Sequence, residues 1–203
     1  MRRGVKPMYI LFEGLDLAGK STVCRRFAER FGEKWTIRSN SIIEHNPVFK
    51  TVNDLRKKGS LSPETLGNLF YSSLLLDLEW FEAPKTDTIQ DSTIILRSLA
   101  YHTVNETPLL PDLFQSLLTR HPKFDFAFVC KASRETRLAR LLIRRKENLG
   151  PEDFIVRDNY DKFMAMEECL VNHAIKTFNA HIIDTSDLEK EEGLDEVIRI
   201  MGV

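Results

Sequence analysis

At 203 residues the chain is long enough for one domain built around a continuous buried core, and residues 1–203 are taken as that single domain. Lys plus Arg (29) nearly cancels Asp plus Glu (30), so no global field recommends a nucleic-acid or membrane partner, and any basic site has to be local. Three cysteines, Cys24, Cys130 and Cys169, are odd in number and lack metal-ligand spacing, which favours reduced thiols and a cytoplasmic location over a disulfide framework.

In chain order, the apolar run Met8 to Phe12 follows a basic start and stops at Glu13, too short for a signal core, and reads as a first strand. No stretch approaches the ~20 apolar residues that span a bilayer. A glycine-rich turn then leads into a helix over Ser21 to Phe31, with Val23, Phe27 and Phe31 at spacing four. A second strand fits residues 34–38. A long helix fits Pro63 to Phe81, opened by Ser62-Pro63-Glu64. Thr86 to Asp91 is a short strand candidate, with a helical pattern from about Arg97 to Val104. Phe124 to Lys131 is apolar over most of its length, as expected of a strand covered on both faces. Ser133 to Glu147 and Phe154 to Phe178 read as helices, and Ala180 to Asp184 as a last strand before a closing helix. Strands alternating with helices imply an α/β fold: a parallel sheet of about five strands with helices on both faces.

Gly14 to Ser21 matches G-x-x-x-x-G-K-[ST] at every required position, between a predicted strand and a predicted helix. In such a phosphate loop the backbone amides and the positive end of the following helix face nucleotide phosphates. Gly14, Ala18, Gly19, Ser21 and Thr22 are therefore expected to line ATP, with Lys20 neutralising the β- and γ-oxygens and Ser21 meeting Mg²⁺. GTPases, motors and small-molecule kinases share this loop. A GTPase would need Asn-Lys-x-Asp, whereas Pro84-Lys85-Thr86-Asp87 has proline in place of asparagine. A motor would need a longer chain and a run of four apolar residues ending in an acid. A small P-loop kinase remains.

The segment FEGLDLAGKST, residues 12–22, resembles the opening of the thymidylate kinase family, EGxDxxGKST. The resemblance implies that Asp16 holds the sugar 3'-hydroxyl of the acceptor. It also places Arg38 in TIRSN and Phe70 in LGNLFYSS at the acceptor, and it matches SLAYH, with Tyr101, to the family's S-x-x-A-Y-Q. Departures accompany it. The family's Asp-Arg-Tyr is here Asp91-Ser92-Thr93, with Arg97 the substitute for the lost arginine. Leu74 stands where a second acceptor arginine is usual, and Leu17 where many members carry a basic residue in the loop.

With Leu17 apolar, the cations that stabilise the transferred phosphoryl group are sought in a lid at about residues 144–157. Arg137, Arg140 and Arg144 share a helical face, where like charges cost ~0.2–0.5 kcal/mol per pair unless an anion lies against them. Arg140 is assigned to ATP, Arg144 and Arg145 to catalysis, with Lys146 and Arg157 flanking the same loop. Asp91 either orients the Mg²⁺ shell or, in a deoxynucleoside kinase, takes the acceptor's proton. The five histidines are scattered, so Mg²⁺ is expected to arrive with ATP rather than at a protein-built site. The expectation is an ATP-dependent kinase acting on a nucleoside monophosphate or similar small acceptor, with a homodimer compatible with it. A deoxynucleoside kinase and a non-catalytic ATP-binding regulator are the alternatives.

Overall fold

The structure, a computed structural model, describes residues 6–32, 35–59, 61–144, 151–187 and 192–202. All five residues of β1 (Tyr9–Glu13) are buried, with Ile10, Leu11 and Phe12 fully so, each stabilising the core by roughly 1.5–3 kcal/mol. That burial follows from its place. The sheet order is β2 (Thr36–Asn40), β3 (Thr88–Thr93), β1, β4 (Phe126–Lys131), β5 (His181–Asp184), every pairing parallel. The chain runs from β1 out to β2, back to β3, then across β1 to β4. The reversal point therefore lies at the carboxyl end of β1, where parallel sheets bind ligands.

Alternation along β1 divides the core. Ile10 and Phe12 face α1 (Lys20–Phe31) and α9 (Glu192–Met201), with Val23, Phe27 and Val197. Leu11 faces the opposite layer of α3 (Pro63–Glu79), α4 (Ile94–Val104), α5 (Leu110–Arg120) and α8 (Tyr160–Phe178), with Leu74, Leu99, Phe114 and Leu170. No described helix is long and apolar enough to cross a membrane.

Several boundaries differ from the sequence pattern. β3 starts at Thr88 and runs to Thr93, so Asp91 lies inside the strand rather than at its end. α6 (Arg134–Ile143) stops before the expected residue 147, and residues 145–150 lie outside the described part. The helix expected over 154–178 is broken into a 3-10 turn at Pro151–Phe154, a short α7 (Ile155–Asp158) and α8. The break is chemical. Asn159 leaves helical geometry (φ −149°, ψ 79°) and its side chain caps α8 by accepting from Lys162 N at 3.1 Å. Two helices went unread in the pattern. α2 (Pro47–Lys58) buries only Val52, whereas α5 buries Leu110, Phe114, Leu117 and Leu118 at a regular helical spacing.

α2 is placed by a buried polar knot. Asn46 caps it, accepting from Phe49 N at 2.8 Å, with Pro47 next. The same Asn46 amide donates to Asp77 of α3 at 2.7 Å, and Asp77 also accepts from Ser41 Oγ at 2.6 Å and Ile42 N at 3.3 Å. Asp77 thus ties the end of β2 and the start of α2 to α3. Asp77→Ala removes an acceptor from three buried donors, of which the Ser41 hydroxyl keeps Ile43 O and the Asn46 amide keeps Ser73, and we expect it to destabilise the protein by about 1–3 kcal/mol, read as a lower urea midpoint at unchanged m-value.

Candidate active site

The loop after β1 is held tight by packing that no side chain could share. At Gly14 (φ 140°) a Cβ would lie 2.4 Å from the Cys130 carbonyl oxygen of β4. Gly19 (φ 82°) starts α1, whose first turn contains no acidic residue, so its positive end is left for an anion. Glu13 locks the base of the loop. Its Oε1 accepts from Gly14 N at 3.0 Å, and its Oε2 accepts from Thr93 N at 2.7 Å and Thr93 Oγ1 at 3.0 Å, joining loop, β3 and the start of α4. Burial pushes its carboxyl upward against the pull of Arg97 and Lys20. Lys20, mostly buried, rests its Nζ on Leu15 O at 3.0 Å, within the loop it is expected to serve. Ala18 is buried, Ser21 is exposed and Thr22 is half-buried.

The arginine column of α6 is placed differently from expectation. Arg137 is 1% exposed and turns inward: Nη1 donates to Asp16 O at 2.6 Å, Nε to Ala132 O at 3.0 Å, and Nη2 pairs with Glu167 of α8. Arg140 donates to Leu17 O at 2.8 Å and to Thr185 O. Both grip the outer side of the loop. Arg144, at the end of α6, pairs with buried Asp153 at 2.7 Å. Arg157 does not reach the cleft: it is exposed, bonded to Asp158 and stacked on Phe154. Arg145 and Lys146 lie outside the described residues.

Asp16, expected to meet the acceptor, is partly exposed at the mouth of the loop. Burial alone would raise its carboxyl, but Lys20, Arg97, Arg144 and Arg56 outweigh that and hold it below the usual carboxylate range. Arg97, in the first turn of α4, reaches across to Asn40 at the end of β2 and acts on both Asp16 and Glu13. Arg56, on α2, was not singled out from the sequence, because the polar run that carries it offered no strong periodic signal. The other expected residues scatter. Phe70 is half-buried against Phe49 of α2. Tyr101 lies one turn below Arg97, half-buried, with the Lys162 ammonium 5.8 Å from its ring centre. Arg38 lies within β2, donates to Ile42 O at 2.9 Å, and lines a groove of about 1170 Å³ with Phe49, Trp80 and Lys85.

Asp91, opposite Phe12 in register, faces the α1 side of the sheet, where its charge adds to burial in raising the thiols of Cys24 and Cys130. That puts it under the start of α1, on the donor side of the loop. Among the described residues no cluster of three metal-ligating side chains occurs. The Ser21 hydroxyl and the Asp91 carboxylate are both hard oxygen donors, which fits a Mg²⁺ ion that reaches the site with phosphates and keeps most of its waters.

A depressed carboxyl stabilises the fold above its ordinary value of 3.8 and loses that contribution as pH falls through the depressed value. The difference in urea midpoint between the native chain and Asp16→Asn should therefore be largest near neutrality and shrink as pH falls below the ordinary carboxylate value.

Comparison with known proteins follows the same lines. The thymidylate kinase family model matches residues 12–196. A probable thymidylate kinase of Methanocaldococcus jannaschii is 27% identical over 198 residues, 96% of this chain and 95% of that protein. One of Sulfurisphaera tokodaii is 27% identical over 124 residues, 61% of this chain and 63% of its own. In fold, the chain is similar to thymidylate kinase from Candida albicans (TM-score 0.69, 17% identity, 97% of this chain and 93% of that one). It is also similar to deoxyadenosine kinase from M. mycoides (TM-score 0.62, 17% identity, 96% and 98%). With a family match that begins in β1, takes in the whole phosphate loop and ends in α9, this chain belongs to the thymidylate kinase family of nucleotide kinases.

Proposed function

We propose that the acceptor is a deoxynucleoside monophosphate, with dTMP the first to test, and that it receives the γ-phosphoryl group of Mg·ATP. One observation carries the reading. Four cations, Lys20, Arg97, Arg144 and Arg56, act on the single carboxylate of Asp16 at the mouth of the loop. Cations converging there from four elements, Arg144 among them paired with Asp153, suit two phosphate groups meeting in the cleft, one from the donor and one from the acceptor.

The roles divide by position. The loop amides and Lys20 hold the triphosphate, and Ser21 and Asp91 would hold Mg²⁺, which offsets charge on the β- and γ-oxygens when bound. Asp16 accepts the acceptor's sugar hydroxyl and fixes its distance from the donor. Arg97, tied to Asn40, and Arg56 draw the acceptor phosphate in line, and Arg144 stabilises the equatorial oxygens during transfer. Phe70 and Tyr101 border the acceptor base and sugar. Asp91 faces α1 rather than Arg97, which argues for a Mg²⁺ role and against a base acting on a nucleoside. The balanced charge and reduced cysteines fit a cytoplasmic enzyme.

The test is ADP release with Mg·ATP against nucleosides and nucleoside monophosphates. We expect a monophosphate to stimulate turnover and unphosphorylated nucleosides not to. Stimulation by nucleosides alone would favour a deoxynucleoside kinase, and ATP binding without stimulated turnover a regulator. Lys20→Ala should lower kcat by roughly 10²–10³-fold. Asp16→Asn should raise the acceptor KM or lower kcat at nearly unchanged ATP affinity.

A further inference from the structure

Three successive carbonyl oxygens of the phosphate loop are held from outside it. Arg137 donates to Asp16 O at 2.6 Å, Arg140 donates to Leu17 O at 2.8 Å, and the Thr185 hydroxyl donates to Ala18 O. In a planar trans peptide the C=O of one residue and the N–H of the next point in opposite directions. Pinning these oxygens outward therefore turns the N–H groups of Leu17 and Gly19 toward the cleft, while the Ala18 N–H donates to Leu15 O at 3.3 Å within the loop. Leu17 adopts φ 63°, a conformation that costs an ordinary side chain about 1 kcal/mol or more and persists where surrounding bonds enforce it.

The outer anchors are themselves fixed. Arg137 is braced by Ala132 O at 3.0 Å, by the buried Glu167 carboxylate and by the Phe163 ring 4.8 Å from its guanidinium carbon. Glu167 also pairs with Lys131 of β4 at 3.4 Å. Thr185, fully buried just after β5, has one hydroxyl hydrogen, which Ala18 O shares with Lys131 O at 2.8 Å. The loop is thus tied to α8 through Arg137 and Glu167, and to the end of β5 through Thr185.

We propose that Glu167 and Thr185, acting with Arg137, are positioning residues for the donor: from the far side of the loop they set the direction of its amides and so the affinity for a triphosphate. The proposal rests on the reading of the loop as the ATP site, and it assigns a function to α8 and to the β5 terminus that the loop motif does not contain. Arg140 takes part through Leu17 O, but its exposure leaves it able to serve the nucleotide directly, so it is a poor reporter.

Arg137→Ala would leave Glu167 buried without its principal cation and risks unfolding the chain. The test therefore uses Thr185→Val, which keeps shape and removes the hydroxyl, and Glu167→Gln, which keeps shape and removes the charge. Binding of Mg·ATP and of adenosine is measured by calorimetry on the full chain, with KM for ATP and for the acceptor alongside. Expected is a weakening of ATP by about tenfold in each variant, with adenosine within twofold of the native chain, because the amides meet phosphates and not the base. The acceptor KM should also move less than the ATP KM. Equal weakening of ATP and adenosine, or a lower melting temperature with unchanged ATP affinity, would overturn the proposal and leave these residues as ordinary core. If the native chain binds adenosine but gains nothing from the triphosphate, the reading of the loop itself falls, and this proposal with it.

Discussion

The carboxyl end of β1 governs where every cleft-facing group can be. β1 is paired on both sides, so its direction is set by β3 and β4, and the loop that leaves it is set by two close contacts. Gly14 lies against the Cys130 carbonyl, and the Glu13 carboxylate binds Gly14 and Thr93 at once. Because Thr93 immediately precedes α4, the same carboxylate that fixes the loop also fixes the helix that presents Arg97. Donor and acceptor sides of the cleft are thereby aligned through one buried group, without a long chain of intermediates.

Around that joint the charges are sorted by elements that come from distant parts of the sequence. Lys20 belongs to α1, Arg56 to α2, Arg97 to α4 and Arg144 to the end of α6, and all four act on Asp16. Mutual repulsion between them is offset by Asp16, and by bonds such as Arg97 to Asn40 and Arg144 to Asp153. Such a set is costly to assemble without an anionic occupant, and its placement between the two sides of the cleft is what makes phosphoryl transfer a reasonable use of it.

The phosphate loop could be read from the sequence because its chemistry is local: eight residues between a strand and a helix carry the glycines, the lysine and the hydroxyl together. The five parallel strands were legible for a similar reason, since apolar runs of strand length have few other uses. What could not be read is what depends on distant segments. Arg137 and Arg140 look alike on a helical projection, and nothing local says that one is buried against α8 and both hold loop carbonyls. Arg56 was hidden in a helix with one buried residue, and Asp91, expected at the end of its strand, lies inside it. The turn at Asn159 was masked by apolar residues that continue the spacing on either side of it.

Glu13 and Asp16 stand three residues apart in one loop, yet their surroundings push their carboxyls in opposite directions, the first upward by burial and the second downward by cations. On acidification the proton goes first to Glu13, at the base of the loop, and only later to Asp16, at its mouth. Protonating a carboxyl that burial has raised relieves its desolvation and favours the fold, whereas protonating Asp16 removes a charge that the surrounding cations hold, so acid reaches the base of the loop as a gain and its mouth as a loss.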